Sequence, residues 1–314
     1  MTKNIDPYGS PDAVEKAIKE AATRTHQADP TRQINDLIRQ AYYDRFLCRV
    51  FASGDNCEWI LKGGTGMLAR VPNARRTMDA DLYRDGFSDK KQALEELRKV
   101  ARLDLGDHFR FEYREHSDIL VDNLQPYADG YRVKFATFLG TKEKDLINVD
   151  LSVHVGATDD PTVIEPSNRL NLRKLITHPY RLYPVVNQIA DKVCATISSY
   201  RNGRPSSREK DLVDLVVIAV TQQVDRISMR TAIERECGKR GIPRPDHFMI
   251  PSNWGRKYRT EAKGTPAAQY TISDAHELME RFVDRVLIEQ REGTWDPNLM
   301  EWSDRYSVED DAPR

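Results

Sequence analysis

Residues 61–82 read LKGGTGMLARVPNARRTMDADL, and the order of signals in this stretch decides the fold. The stretch opens at the end of an apolar strand with two glycines, Gly63 and Gly64, which are followed by Thr65. Residues 65–70 then have the composition of a short helix. Glycines directly before a helix let backbone N–H groups approach an anion, and the helix dipole favours that anion. The beginning of the stretch therefore suits a phosphate group.

The end of the stretch carries an acidic pair. Residues 78–83 alternate as a strand, and this alternation puts Asp79 and Asp81 on one face and the apolar residues on the other. Two like charges side by side are costly unless a cation lies between them. Mg²⁺ prefers hard oxygen ligands, usually one or two carboxylates together with substrate phosphates. The pair therefore predicts a divalent-cation site for Mg²⁺, with Mn²⁺ as the alternative ion.

A third carboxylate lies on a later apolar strand. Asp150 belongs to the alternating segment 146–152, which reads LINVDLS. If this strand pairs beside the strand of the acidic pair, Asp150 completes a three-carboxylate metal site. Such a site suits two metal ions that stabilise the attacking and leaving oxygens of nucleotidyl transfer. Each feature alone has an ordinary structural explanation as a turn, a strand edge or a strand end, and only their order in the chain favours a site.

The whole chain is predicted to have an α+β fold with two lobes. Residues 56–183 alternate between short strands and helices, which indicates a mixed β-sheet. From Pro184 onward the apolar spacing is mainly helical. The predicted segments are two N-terminal helices packed on the catalytic lobe (1–55), the catalytic lobe (56–183), a helical lobe (184–302) and a flexible polar tail (303–314). The predicted helices include 88–102, with Ser88 as its cap, and 185–200, 206–223, 226–240 and 272–291.

Composition and charge argue against a membrane protein, a secreted protein and a protein that binds nucleic acid over its whole surface. The net charge is −1 from 48 basic and 49 acidic residues, which argues against nucleic-acid binding over the whole surface and leaves a local basic groove open. The chain has no apolar run long enough for a transmembrane helix, and its start lacks the layout of a signal peptide. Its four cysteines have no C-x-x-C spacing. We expect a cytoplasmic protein without a membrane partner.

The quoted stretch resembles the first motif of the DNA polymerase β-like nucleotidyltransferase superfamily. More closely, it resembles the AbiEii/AbiGii family, the MenT-type toxins of type IV toxin–antitoxin systems. Residues 190–193 (ADKV) and 208–215 (REKDLVDL) resemble the second and third motifs of that family. Trp254, Tyr258 and the segment 294–302 fit its C-terminal part. The resemblance covers residues 58–302 and implies a polymerase β-like lobe, a helical lobe and an active site in the cleft between them.

The resemblance implies a role for each matching residue. The metal ligands are Asp79, Asp81 and Asp150, and these three, with Lys192 and Asp211, form the catalytic set. The nucleotide-binding residues are Lys62, Gly63, Gly64, Thr65, Lys192 and Arg208. Without the resemblance, Lys192 has the pattern of a lysine whose stem covers an apolar stripe. Asp211 and Asp214 would likewise suit a solvated helix face with ion pairs.

The implied reaction is transfer of a nucleotide from an NTP, bound with a two-metal Mg²⁺ site, to an RNA acceptor. The acceptor implied is the 3′ end of tRNA, and its modification would block aminoacylation and translation. A cognate antitoxin is the implied protein partner. Two alternatives stay open: the acceptor could be a protein or small-molecule hydroxyl, or the chain could bind nucleotides without catalysis.

Overall fold

The computed structural model describes residues 8–77, 79–84, 89–119, 129–153, 159–198 and 205–304. These residues form helices and a mixed sheet, so the predicted α+β class is confirmed. The chain divides into two compact units, here called the N-terminal and C-terminal units, which meet in the chain between Tyr183 and Pro184. The predicted cap Ser88 and most of the predicted tail, residues 305–314, lie outside the described residues.

Two helices open the N-terminal unit, α1 (Pro11–Ala28) and α2 (Ile34–Val50). Helix α1 begins where the sequence indicates, because the Ser10 hydroxyl accepts a hydrogen bond from the backbone N–H of Ala13 at 3.2 Å. The apolar residues of both helices are buried in one core with the strands that follow. Residues 8–55 therefore belong to the same compact unit as the sheet.

Among the described residues, the N-terminal unit is built on an eight-stranded sheet. Its strands are β1 (Trp59–Lys62), β2 (Ala80–Arg84), β3 (Phe109–Asp118), β4 (Asp129–Leu139), β5 (Lys142–Glu143), β6 (Ile147–Val153), β7 (Thr162–Ile164) and β8 (Tyr180–Leu182). Their order is β3-β4-β6-β2-β1-β8-β7, and β5 pairs with β4. The β2–β6 and β1–β8 pairs are parallel and the others antiparallel, so the sheet is mixed. Helix α3 (Gly63–Arg70) connects β1 to β2, and α4 (Lys90–Ala101) follows β2.

The two faces of this sheet differ in chemistry. Leu61, Leu82 and Leu151 are fully buried in the core that includes α1 and α2. Because side chains alternate along each strand, the residues next to these leucines point to the opposite face. That second face carries charged residues on β1, β2, β4 and β6, and the candidate site lies on it.

A buried ion-pair group attaches α2 to the start of β3. Arg49 Nη2 lies 2.7 Å from Asp107 Oδ1, and Arg45 Nε lies 2.8 Å from Asp107 Oδ2. All three side chains are at most 1% exposed. Burial opposes ionisation of Asp107, but the two arginines hold its pKa below the ordinary value. The charges compensate one another, which makes this buried arrangement tolerable.

The C-terminal unit is mainly helical. Its helices are α5 (Val185–Ile197), α6 (Glu209–Ala219), α7 (Arg226–Arg240), α8 (Arg256–Ala262), α9 (Ile272–Met279) and α10 (Arg285–Ile288), with a π-helical segment (Glu280–Asp284) between the last two. In the part of the chain that the structure describes, none of the helices has both the length and the apolar composition that a membrane span requires.

The sequence predicted a mainly helical lobe, and the structure adds a three-stranded sheet to its helices. Its strands are β9 (Val224–Asp225), β10 (Gly293–Asp296) and β11 (Glu301–Asp304), in the order β11-β10-β9. Trp295 and Trp302 are both buried, and their rings pack against each other and against Phe282. Burial of these large rings stabilises the hairpin. The predicted start of the tail at residue 303 is corrected, because residues 303 and 304 end strand β11.

Candidate active site

Four charged side chains form a line across four neighbouring strands, which we call the charged row. In register, Lys62 on β1 pairs with Asp81 on β2, and Asp81 pairs with Asp150 on β6. Asp150 in turn pairs with Arg132 on β4. Residues paired in register point to the same face of a sheet, so the row reads Lys62, Asp81, Asp150, Arg132. The strand of Asp150 therefore does pair beside the strand of Asp81, as the metal-site hypothesis requires.

Asp79 lies just before β2, which differs from the predicted strand over 78–83. Its backbone carbonyl accepts a hydrogen bond from Thr65 Oγ1 at 2.6 Å. Its carboxylate accepts a hydrogen bond from Thr77 Oγ1 at 2.9 Å. One contact comes from a neighbour two residues away and the other from a side chain 14 residues earlier, and these contacts, not the alternation of a strand, set the position of Asp79. Asp79, Asp81 and Asp150 are all half-buried.

The glycine turn packs directly against the acidic segment. Gly63 has a φ of +58°, and a Cβ placed there would lie 1.8 Å from Asp81 Oδ2. A Cβ on Gly64 would lie 2.9 Å from Thr77 Cβ. The sequence suggested that the glycines let a phosphate approach the backbone. In the structure they also let the backbone approach Asp81, which joins the start of α3 to the charged row.

Gly63→Ala is expected to lower both stability and activity. The left-handed backbone costs a non-glycine residue about 1–2 kcal/mol, and the new Cβ would displace the Asp81 carboxylate. Displacing a reacting group by about 1 Å costs about 100-fold in rate. The matched control is Gly106→Ala, because Gly106 has a φ of +66° and, among the described residues other than its chain neighbours, no heavy atom lies within 4 Å of its Cβ position. Chemical denaturation and a nucleotide-transfer assay on both variants check the prediction, and equal activity losses would contradict it.

Two of the predicted nucleotide-binding residues are engaged within the protein. The Thr65 side chain is buried, and its hydroxyl donates to the Asp79 carbonyl. Lys62 Nζ lies 4.7 Å from the ring centroid of Tyr183 and 5.6 Å from that of Tyr83. A cation over an aromatic ring gains electrostatic stabilisation. The structure thus gives Thr65 a role in fixing Asp79, and it places Lys62 over two aromatic rings.

Arg132 is a site residue that the sequence did not indicate. Its Nε lies 3.0 Å from Asp150 Oδ1, and its Nη2 lies 3.3 Å from Asp150 Oδ2. The hydrogen bond to Asp150 and the charges of Asp150, Asp79 and Asp81 raise the pKa of Arg132. Arg132 therefore lies in the field of all three carboxylates. Only the register between β4 and β6 brings it there, and no local sequence pattern encodes that register.

The donor set is compatible with a divalent cation held by few protein ligands. Within the described ranges, no group of three or more histidine, cysteine or acidic side chains is arranged to hold a metal ion. Asp79 and Asp81 nevertheless provide hard carboxylate oxygens beside a glycine turn. Mg²⁺ commonly takes one or two carboxylates and completes its ligand set with substrate phosphates and water. The site thus fits Mg²⁺ bound together with a phosphate-bearing substrate.

The C-terminal unit holds the other predicted site residues, Lys192, Arg208 and Asp211, in one ion-paired group with Asp214, called here the lysine cluster. Lys192 Nζ on α5 lies 3.2 Å from Asp211 Oδ1 and 2.6 Å from Asp214 Oδ2, both on α6. Arg208 Nε donates to Asp211 Oδ2. Lys192 and both aspartates are buried. The alternatives of a surface lysine and a solvated acidic face are therefore wrong for these residues.

The lysine cluster predicts a dependence of stability on pH. Burial would raise the pKa of Asp211, but Lys192 and Arg208 outweigh it and lower that pKa to about 2. A carboxyl group with a lowered folded-state pKa contributes stability above its ordinary pKa of 3.8, and that stability is lost as the pH falls through about 2. The contribution at neutral pH is about 2 kcal/mol. The free energy of unfolding, measured from about pH 6 to pH 2, should fall more for the wild type than for Asp211→Asn. Equal falls would contradict this coupling.

The chain is similar to a protein family and to solved structures. The family model for the nucleotidyl transferase AbiEii toxin of type IV toxin–antitoxin systems matches residues 45–296. No curated protein sequence matches the chain. Among solved structures, the JHP933 protein from Helicobacter pylori is similar over 81% of this chain and 93% of its own, with 14% identity and a TM-score of 0.40. An H. pylori protein assigned as a nucleotidyltransferase is similar over 80% of this chain and 95% of its own, with 13% identity and a TM-score of 0.40.

The family match covers both units: β1, α3, β2 and β6 with the charged row, and α5 and α6 with the lysine cluster. It extends over most of the 314 residues. The chain therefore belongs to the AbiEii nucleotidyl transferase toxin family of type IV toxin–antitoxin systems.

Proposed function

We propose that this protein transfers a nucleotide from an NTP to the 3′ end of tRNA and thereby blocks aminoacylation and translation. The observation that carries the proposal is the charged row: Asp81 and Asp150 are paired side by side, and Asp81 touches the glycine turn at the start of α3. Membership of a toxin nucleotidyltransferase family supports the reaction class. The tRNA acceptor rests on the resemblance of the motifs quoted above.

In the proposed reaction an acceptor hydroxyl attacks the α-phosphorus of the NTP. A new P–O bond to the acceptor forms, the bond from the α-phosphorus to the oxygen bridging to the β-phosphorus breaks, pyrophosphate departs, and the hydroxyl proton is released to solvent. The backbone N–H groups of Gly63 and Gly64 orient the phosphates at the start of α3. Asp79, Asp81 and Asp150 are the proposed ligands of Mg²⁺, which when bound stabilises the negative charge on the reacting phosphate.

The lysine cluster contributes the remaining proposed roles. Lys192 and Arg208 bind the nucleotide, and Asp211 is the catalytic acidic residue of the C-terminal unit. The resemblance of residues 190–193 and 208–215 to family motifs supports these assignments. The hydrogen bonds among the three residues keep them together, which a shared role requires. A cognate antitoxin is the proposed regulatory partner.

The acceptor can be identified by label transfer. The protein is incubated with Mg²⁺, each α-labelled NTP in turn, and either total tRNA or total protein. We expect label on tRNA, and no label on tRNA whose 3′-terminal diol has been oxidised with periodate. Label on protein would assign the alternative acceptor, and binding of NTP without any transfer would support a non-catalytic role.

A further inference from the structure

Arg132 donates two hydrogen bonds to the carboxylate of Asp150 in the charged row. Two of its nitrogens face the two oxygens of Asp150, at 3.0 and 3.3 Å. This fork geometry fixes the orientation of an arginine–carboxylate pair, and both of its hydrogen bonds are charge-assisted. The two residues are also register partners on adjacent strands, so the backbone holds them opposite each other. The contact is therefore built into the sheet.

The same contact conflicts with the metal role proposed for Asp150. A carboxylate whose two oxygens face a guanidinium offers less negative charge to a second cation. A divalent cation beside Asp81 would moreover lie close to the positive charge of Arg132, because Asp81 and Asp150 are register partners. The positive charges of the cation and of Arg132 would repel each other there, even near a protein surface. Arg132 and a divalent cation therefore compete for the same two oxygens of Asp150.

We propose that Arg132 is an internal competitor of the divalent cation at Asp150. The inference rests on the proposed function and extends it, because it names a positioning residue that sets how tightly the site binds its cation. When a cation takes Asp150, the guanidinium has to leave that carboxylate. The Arg132 side chain is 58% exposed, so it can move into water at little cost.

Competition at Asp150 makes the affinity for the cation depend on whether an NTP is bound. The carboxylates alone have to displace Arg132, which weakens cation binding by the protein without an NTP. An NTP brings its own phosphate ligands to the cation, and its negative charge offers the released guanidinium a new partner. The site would thus bind the cation and the nucleotide cooperatively.

The test is a titration of the full chain with Mn²⁺ alone, followed by the electron paramagnetic resonance signal of free Mn²⁺. Arg132→Gln should bind Mn²⁺ about tenfold more tightly than the wild type, because one competing positive charge is gone. Lys134→Gln is the matched control: Lys134 lies on the same strand and face, and it pairs with Glu115 at 2.7 Å. It should leave Mn²⁺ affinity unchanged.

Arg132→Gln with wild-type Mn²⁺ affinity, or an equal gain in Lys134→Gln, overturns the competition. Asp81→Asn separates this failure from failure of the proposed metal site. If Asp81→Asn weakens Mn²⁺ binding while Arg132→Gln has no effect, the competition is wrong and the metal site stands. If the wild type and every variant bind no Mn²⁺, both the inference and the proposed metal site are wrong.

Discussion

Asp81→Asn is expected to lower nucleotide transfer by at least about 100-fold while the chain keeps its fold. Loss of a partner outside the ligand shell of a metal site already costs about 10- to 100-fold, so the loss of a carboxylate within the site should cost more. The substitution keeps the size of the side chain. Asparagine can therefore fill the space against Gly63 without the charge that the proposed cation needs.

The measurement is transfer of α-labelled NTP to tRNA, with circular dichroism and thermal unfolding as checks of folding. Asp118→Asn is the matched control, because Asp118 lies on the same sheet, is 65% exposed and pairs with Lys90. It should keep wild-type activity. A folded Asp81→Asn protein with full activity and full toxicity in cells would exclude a mechanism based on this carboxylate.

Lys192→Met is expected to destabilise the chain by about 3–5 kcal/mol, because it removes the cation from a buried ion-paired group. Lys192 Nζ contacts Asp211 and Asp214, and both aspartate side chains are at most 3% exposed. Methionine fills a similar volume, so lost packing contributes little to the expected change. If Lys192 also binds the nucleotide, transfer per folded molecule should fall by about 100-fold, as it does when one stabilising donor is lost.

The two effects of Lys192→Met are separated by measuring activity well below the unfolding transition of the variant. Lys257→Met is the control, since Lys257 is an exposed residue on α8 of the same unit. Its unfolding free energy should change by no more than about 0.5 kcal/mol. Wild-type stability of Lys192→Met would contradict the buried ion pairs. Reduced stability with full activity per folded molecule would assign Lys192 a purely structural role.

The elements that carry the candidate site follow from local signals in the sequence. The glycine pair, the break at Pro72-Asn73 and the alternation that follows lie within residues 61–82, and they give β1, α3 and β2 in the correct order. The alternation of residues 146–152 gives β6. Short-range rules of this kind need only the spacing of apolar residues and turn formers.

The features that the sequence could not give depend on long-range packing. Arg132 meets Asp150 through the register of β4 and β6, and such a register is set by the whole sheet. Burial of the lysine cluster depends on how α5 packs on α6. Strand β9 has two residues, which is too short for an alternation to predict it, and it pairs with β10 at the buried Trp295.

The position of Asp79 could not be predicted from the alternation of residues 78–83. Its alternation with Asp81 predicted one strand for both, but β2 begins at Ala80. Hydrogen bonds from Thr65 and Thr77 hold Asp79 in the preceding turn instead. Side-chain hydrogen bonds to backbone groups compete with strand pairing. The spacing of apolar residues carries no information about that competition.

Nucleotidyl transfer is the central claim, and the position of the label that reaches the acceptor tests it most directly. The wild-type protein is incubated with tRNA and Mg²⁺ in parallel reactions that contain either α-labelled or γ-labelled NTP. We predict that tRNA acquires label only from the α-labelled NTP and that the γ-label is recovered in pyrophosphate. Transfer of the γ-label to the acceptor would instead show phosphoryl transfer and contradict the claim.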